Sequence, residues 1–262
     1  RVTQFQEKTG EDLAKSLKKL RAENKFAFNG IILDMRNNPG GLLNSSVAVS
    51  AAFLKEGDLV VYTEGRAPDS KMNLTTSPEN FVRNNPDKNN FLKDLPADIK
   101  DTPMVVLINN GSASASEIVA GALQDHKRAL IVGTRSFGKG SVQSIMPMNN
   151  GTAIKLTTAR YFTPNGRSIQ GKGITPDIVV EDGLSAIAVR ESDLNNILSN
   201  PEDDEKKLKD APEKPAKVKS VPTSDGQEAL RNFKPIEFGG KDDKQFIEAL
   251  NILKGIDLYQ KN

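Results

Sequence analysis

Apolar positions along this chain switch between a helical period and unbroken strand-like runs. Leu13, Leu17 and Leu20 recur at helical spacing behind Thr9, which reads as an N-cap, with Glu11 and Asp12 in the first turn. Gly30-Ile31-Ile32-Leu33-Asp34 is a short apolar run of the kind that forms a buried strand. Residues 42–54 would be apolar nearly all round as a helix, which predicts an interior position. Leu59-Val60-Val61-Tyr62 predicts another strand. Residues 64–100 are polar, rich in Asn and Pro and weakly patterned, and a loop of that length usually carries function or moves.

A strand over 103–108, a helix over 114–126 and a strand over 129–133 follow, then a run of β-hairpins. The turns of those hairpins fall at Asn149-Asn150-Gly151 and Pro164-Asn165-Gly166. Repeated β-α units imply right-handed crossovers and an α/β fold with a parallel-containing sheet. The character changes after Asp182. A helix is predicted over 184–200, packed on a core of residues 1–183. Residues 201–230 combine the acidic run Glu202-Asp203-Asp204-Glu205 with Lys/Pro/Ala-rich sequence and read as a solvated linker.

Residues 231–262 then return to helical periodicity through Phe246, Ile247, Leu250, Leu253 and Ile256. A helix beyond such a linker must bury its apolar stripe on its own core or on a second copy of the chain. The size of the stripe favours a homo-oligomer with this terminus in the interface.

The chemistry is concentrated in two short stretches. Gly111-Ser112-Ala113-Ser114-Ala115-Ser116-Glu117 lies between a strand and a helix, where free backbone N–H groups and the helix dipole favour negative charge. An acyl-transfer nucleophile needs such donors for its oxyanion and a base for its proton. The one histidine, His126, would stand about 18 Å from Ser114 along the same helix, so no Ser-His pair can form. The absence of cysteine excludes thiol nucleophiles, and a lone histidine argues against a zinc site. Lys139, between Gly138 and Gly140 and 25 residues after Ser114, is the remaining base, with Gln143 four residues further on.

Each feature has a plainer reading when taken alone. Ser/Ala-rich turns before helices are commonly caps, with Ser112 and Ser116 as rivals to Ser114. Lys139 and the Gly40-Gly41 pair could be ordinary turn residues, His126 a surface residue, and Glu117 a first-turn acid complementing the dipole. Gly133-Thr134-Arg135-Ser136-Phe137-Gly138-Lys139 also satisfies most of a phosphate-loop pattern. Gly140 stands where that pattern needs a hydroxyl, and Ser141-Val142-Gln143-Ser144-Ile145-Met146 alternates like a strand rather than a helix. The same alternation would project Lys139, Ser141 and Gln143 on one face.

The two stretches resemble the C-terminal processing peptidases, also called tail-specific proteases. In that family a serine inside a Ser-Ala-Ser-Ala-Ser-Glu run is the nucleophile, the position held here by Ser114. The base is the lysine of a Phe-Gly-Lys-Gly stretch, matching Phe137-Gly138-Lys139-Gly140, and a glutamine at the position of Gln143 orients it. The family's glycine turn after a buried strand matches Leu33-Asp34-Met35-Arg36-Asn37-Asn38-Pro39-Gly40-Gly41. The resemblance spans roughly residues 1–183 and implies a ClpP/crotonase-like β-α core with added β-hairpins and a C-terminal helical appendage.

It further implies a serine endopeptidase acting near the C-termini of protein or peptide substrates through an acyl-enzyme, without metal or cofactor. The competing function is a non-catalytic peptide-binding module on the same fold. Lys139 would have to be neutral to accept the Ser114 proton, which burial favours by penalising the ammonium. Gln143 could hold the amine without adding negative charge. The oxyanion donors would be the N–H of Ala115 and one from Gly40 or Gly41. The family also implies a PDZ domain ahead of Arg1 and a bacterial periplasmic location; membrane association through upstream sequence and delivery of substrate by an adaptor protein stay open at this point.

Composition fits this picture. The chain has 262 residues, 37% hydrophobic and 27% charged, with 20 Gly and 14 Pro, enough for a real core joined by long polar connections. A net charge of +2 gives no ground for nucleic-acid binding. No apolar run approaches the about 18 residues of a membrane-spanning helix. The strand-like start at Arg1 reads as the continuation of a longer precursor. The lack of cysteine suits an oxidising compartment.

Overall fold

In a computed structural model of the chain, the residues described are 1–24, 26–66, 70–181, 189–194, 198–201 and 237–260. Eight strands form two sheets among these residues. The first is parallel, in the order β1 (Ile31–Asp34), β4 (Met104–Ile108), β5 (Leu130–Gly133), β8 (Ile178–Val179). The second is antiparallel, in the order β3 (Met72–Thr75), β2 (Leu59–Gly65), β7 (Ala153–Phe162), β6 (Ser141–Pro147). β4 is an apolar run because it is buried on both faces. Met104, Val106 and Ile108 face the main core, whereas Val105 and Leu107 join a second cluster.

The two clusters are covered by different helices. α2 (Leu43–Ala51) and α4 (Ala115–Asp125) fill the main core, and both are almost wholly buried. α1 (Thr9–Glu23) packs beside α2. Thr9 is the first residue of that helix rather than its cap: its hydroxyl accepts from Gln6 N at 2.8 Å. The 64–100 segment is more ordered than its polar sequence predicts. It holds β3, a single-turn α3 (Pro86–Asn89) and two 3-10 turns, and it buries Phe81, Val82 and Ile99. Three scattered apolar residues suffice to pin a segment that shows no period.

The terminal helix, α5 (Lys244–Gln260), covers the second cluster. Ala249 and Leu253 are buried against Val105, Leu107 and Val132 of the parallel sheet, while Ile247 and Leu250 are 38% and 37% exposed. The expected stripe of five apolar residues is therefore corrected. The small Ala249 lets the helix approach closely, which turns the line of contact towards Gln245, Ala249 and Leu253 and away from Ile247 and Leu250. Of that stripe Leu253 is spent on the chain's own sheet, whereas Ile247 and Leu250 stay exposed.

Leu253→Ala should cost about 2–5 kcal/mol of stability, read as a lowered denaturation midpoint. Of the helix predicted over 184–200, the described residues 189–194 and 198–200 form no α-helix, only a short 3-10 turn, which corrects the expectation there, and the linker over 201–230 lies almost wholly outside the described residues. That turn is Glu191–Asp193, and Glu191 N donates to the Phe137 carbonyl at 3.0 Å.

Candidate active site

The loop from β4 to α4 separates its three serines by function. Ser112 Oγ donates to Met35 O and accepts from Asn109 N, and Ser116 Oγ donates to Asn38 O. Both are fully buried and tie this loop to the glycine turn after β1. Ser114 is the half-buried one. It occupies the N-cap of α4 at φ 54°, ψ −111°, with no side-chain cap hydrogen bond. A side-chain-bearing residue at positive φ is strained by about 1–3 kcal/mol and needs surrounding structure to hold it.

The glycine turn supplies part of that structure. A Cβ on Gly40 would lie 2.6 Å from Ala113 O and 2.9 Å from both Ala115 N and Ser114 Cβ. Only a glycine lets the turn lie so close to the serine. Gly41, at φ 146°, has no room either, since a Cβ there would meet Phe5 O at 2.0 Å. Gly40 N already donates to Asn38 Oδ1 at 2.9 Å. The N–H groups of Ala115 and Gly41 donate to nothing among the described residues, which leaves these two for an incoming oxyanion.

Glu117 joins the serine loop to the lysine loop. It is 0% exposed, and each carboxylate oxygen accepts two hydrogen bonds. Oε1 takes Ser136 Oγ at 2.6 Å and Gly138 N at 2.7 Å, and Oε2 takes Ser114 N and Lys139 N, both at 2.8 Å. The backbones of Ser114 and Lys139 are thus held to a single atom. Burial pushes the Glu117 carboxyl up to about 7, against the pull of its hydrogen bonds to Ser136, Gly138, Ser114 and Lys139. The reading of Glu117 as a first-turn acid missed this bridge. The signal was available: in Ser-x-x-Glu the acid folds back onto the cap N–H, and a carboxylate inside an otherwise apolar, buried helix must find partners.

The remaining residues are placed as follows. Lys139 is half-buried, and no hydrogen bond joins its Nζ to Ser114 or Gln143 among the described residues. Gln143 is exposed. The β6–β7 register shifts beside it, with Thr158 of β7 as the extra residue opposite Val142 and Gln143. His126 closes the far end of α4, where its Nε2–H donates to the Leu59 carbonyl at 2.7 Å. The segment after Lys139 enters β6 rather than a helix, so the phosphate-loop reading lacks its anion-binding helix terminus. Among the described residues no cluster of three or more His, Asp and Glu could hold a metal ion, and no helix is long and apolar enough to cross a membrane.

Residues 1–180 match the family model of peptidase family S41. The chain belongs to that family. Among curated relatives, the carboxy-terminal-processing protease of Bartonella bacilliformis is 49% identical over 185 residues, covering 70% of this chain and 38% of the relative. The carboxyl-terminal-processing protease of Synechocystis is 39% identical over 188 residues, or 72% of this chain and 39% of that protein. This S41 chain thus spans about two fifths of the length of the curated relatives it matches. Among solved structures, the photosystem II D1 C-terminal processing protease superposes with a TM-score of 0.54 at 32% identity, covering 69% of this chain and 41% of that one. The resemblance read from the two motifs, and the α/β core with added hairpins and a C-terminal helix, are both borne out.

Proposed function

We propose that this S41 chain carries the peptidase site of a serine endopeptidase that cuts protein substrates near their C-termini, with Ser114 as nucleophile and neutral Lys139 as base. The observation that supports this reading most is the shared Glu117 oxygen, which holds Ser114 N and Lys139 N together. Lys139 Nζ takes the Ser114 Oγ proton as Oγ bonds to the scissile carbonyl carbon, and the oxyanion accepts from Ala115 and Gly41 N–H. The protonated lysine then returns its proton to the leaving amine, and the C–N bond breaks. Water, deprotonated by the same lysine, releases the acyl group from Ser114. Gln143 enters only if its strand turns it inward.

Incubating the purified chain with denatured casein and mapping new termini by mass spectrometry tests the reading. Cleavage that Ser114→Ala abolishes supports it. Binding without cleavage would make the chain a peptide-binding module instead.

Glu117→Gln preserves shape but presents a single acceptor oxygen, so two of the four donors would face an amide NH2. Misplacing the two loops should lower kcat by ~10²-fold, and the unpaired buried donors should cost about 1–3 kcal/mol each. The pH dependence has opposite signs for activity and stability. A folded-state pKa of about 7, above the ordinary 4.5, means the folded chain holds this proton more tightly than the unfolded one. The resulting stability is full below pH 4.5 and is lost as pH rises through 7. Activity should instead fall below pH 7, because a protonated carboxyl gives up one acceptor position. A pH–rate profile of Glu117→Gln should lack that acid limb.

A further inference from the structure

A second charged cluster lies buried directly before the glycine turn. Arg36 is 3% exposed and Asp243 1%. All five guanidinium N–H donors are used. Nε and Nη2 donate to Asp34 Oδ1 and Oδ2 at 3.0 and 2.8 Å. Nη1 and Nη2 donate to Asp243 Oδ1 and Oδ2, both at 2.7 Å, and Nη1 also reaches Gln245 Oε1 at 3.2 Å. The Phe238 ring lies 4.8 Å from the guanidinium carbon. Asp34 ends β1 and Arg36 lies two residues past it, whereas Asp243 stands 207 residues beyond Arg36, outside the stretch that matches the family.

Asp243 serves two neighbours at once. It accepts from Gly239 N and Phe246 N, capping α5, and it grips Arg36 through both oxygens. Arg36 is followed immediately by Asn37, at φ 54°, and the turn ends in Gly40 and Gly41 at φ 96° and 146°. A turn with three positive-φ residues keeps its shape only if both ends are held. On the serine side Asn109 exchanges hydrogen bonds with Asn37, and Asn38 O accepts from Ala113 N and Ser116 Oγ. On the other side Val2 and Phe5 hold Asn38, Gly40 and Leu42 through backbone groups, and Arg36 fixes the start of the turn. Helix docking alone does not explain the pair, because the apolar contacts of Ala249 and Leu253 already seat α5, and a buried ion pair seldom outdoes an apolar contact in stability.

We infer that Asp243 is a positioning residue of the peptidase site: through Arg36 the C-terminal segment holds the turn that presents Gly41 N–H to the oxyanion. The inference rests on the peptidase reading above. Asp243→Asn tests it, because asparagine caps a helix as well as aspartate does but sets an NH2 against the guanidinium. Wild type and variant are compared in kcat and KM on an unstructured fluorogenic peptide. They are also compared in the rate at which Ser114 Oγ displaces fluoride from a fluorophosphonate, with thermal melts run in parallel.

The expected result is a drop of about tenfold in kcat and in phosphonylation rate, with KM unchanged. Leu253→Ala, which weakens the docking of the same helix without touching Arg36, should leave kcat unchanged well below its melting point. If Asp243→Asn does not fold, Gln245→Ala removes one Arg36 contact together with a docking bond to the Val180 carbonyl, the docking part being controlled by Leu253→Ala, and should give the same kcat-only loss at about threefold. A folded Asp243→Asn with wild-type kcat and labelling overturns the inference alone, as does an equal kcat loss in Leu253→Ala. A wild type that neither cleaves nor takes the label overturns the peptidase reading as well.

Discussion

Ser114→Ala and Lys139→Ala should each lower peptide hydrolysis by ~10⁴-fold or more, since members of a nucleophile–base unit fail together rather than additively. Neither side chain makes a hydrogen bond among the described residues that the fold depends on, so melting should change little. Ser114→Ala keeps the Cβ that makes φ 54° unfavourable, so the strain there is unchanged. Lys139→Arg is the sharper variant. It keeps length and positive charge, but a guanidinium does not deprotonate near neutral pH, so it should be as inactive as Lys139→Ala. An active Lys139→Arg enzyme would remove lysine from the role of base.

Gly40→Ala should be nearly as damaging, by a steric route. The new methyl carbon would sit 2.6 Å from Ala113 O and 2.9 Å from Ala115 N and Ser114 Cβ. Two of those three atoms are backbone, so relief requires the nucleophile loop to move. At φ 96° alanine is also strained, by about 1–3 kcal/mol. The expected result is a loss of ~10²-fold or more in kcat with a folded protein of lowered melting temperature. Gly151→Ala is the control. It carries a similar positive φ of 79° in the β6–β7 turn, but its Cβ would meet nothing within 4 Å. It should share the strain and spare the activity.

The serine and lysine loops were legible in the sequence because each is local: a strand, a few small residues, and a helix or strand to follow. The alternating β and α runs around them gave the parallel sheet for the same reason. What escaped was non-local or irregular. Glu117 satisfies the cap signal at Ser114, but its bonds to Ser136, Gly138 and Lys139 exist only once β5 lies beside β4. The register shift opposite Val142 and Gln143 comes from an extra residue, Thr158, on the neighbouring β7, and no glycine or proline announces it. The stripe on α5 was read by residue type, and no hydropathy pattern shows that Ala249 decides which side of the helix touches the sheet. Arg36 and Asp243 are ordinary charged residues until the fold brings them together across a separation of 207 residues.

The N–H groups of Ala115 and Gly41, which have no acceptor among the described residues, illustrate the same limit. Gly40 and Gly41 were equivalent as sequence, and Asn38 separates them by claiming the Gly40 N–H for itself. Donor availability is a property of the whole hydrogen-bond network, so it could not be read from a glycine pair.

The central claim, that one serine of three is the nucleophile and that Lys139 activates it, meets its most direct test in site-resolved labelling. The folded wild-type chain and its Lys139→Arg variant would be treated with a fluorophosphonate and mapped by tandem mass spectrometry. The account predicts a phosphonyl adduct on Ser114 of the wild type and essentially none on the variant. An adduct on Ser112 or Ser116 instead, or undiminished labelling of Ser114 in Lys139→Arg, would contradict it.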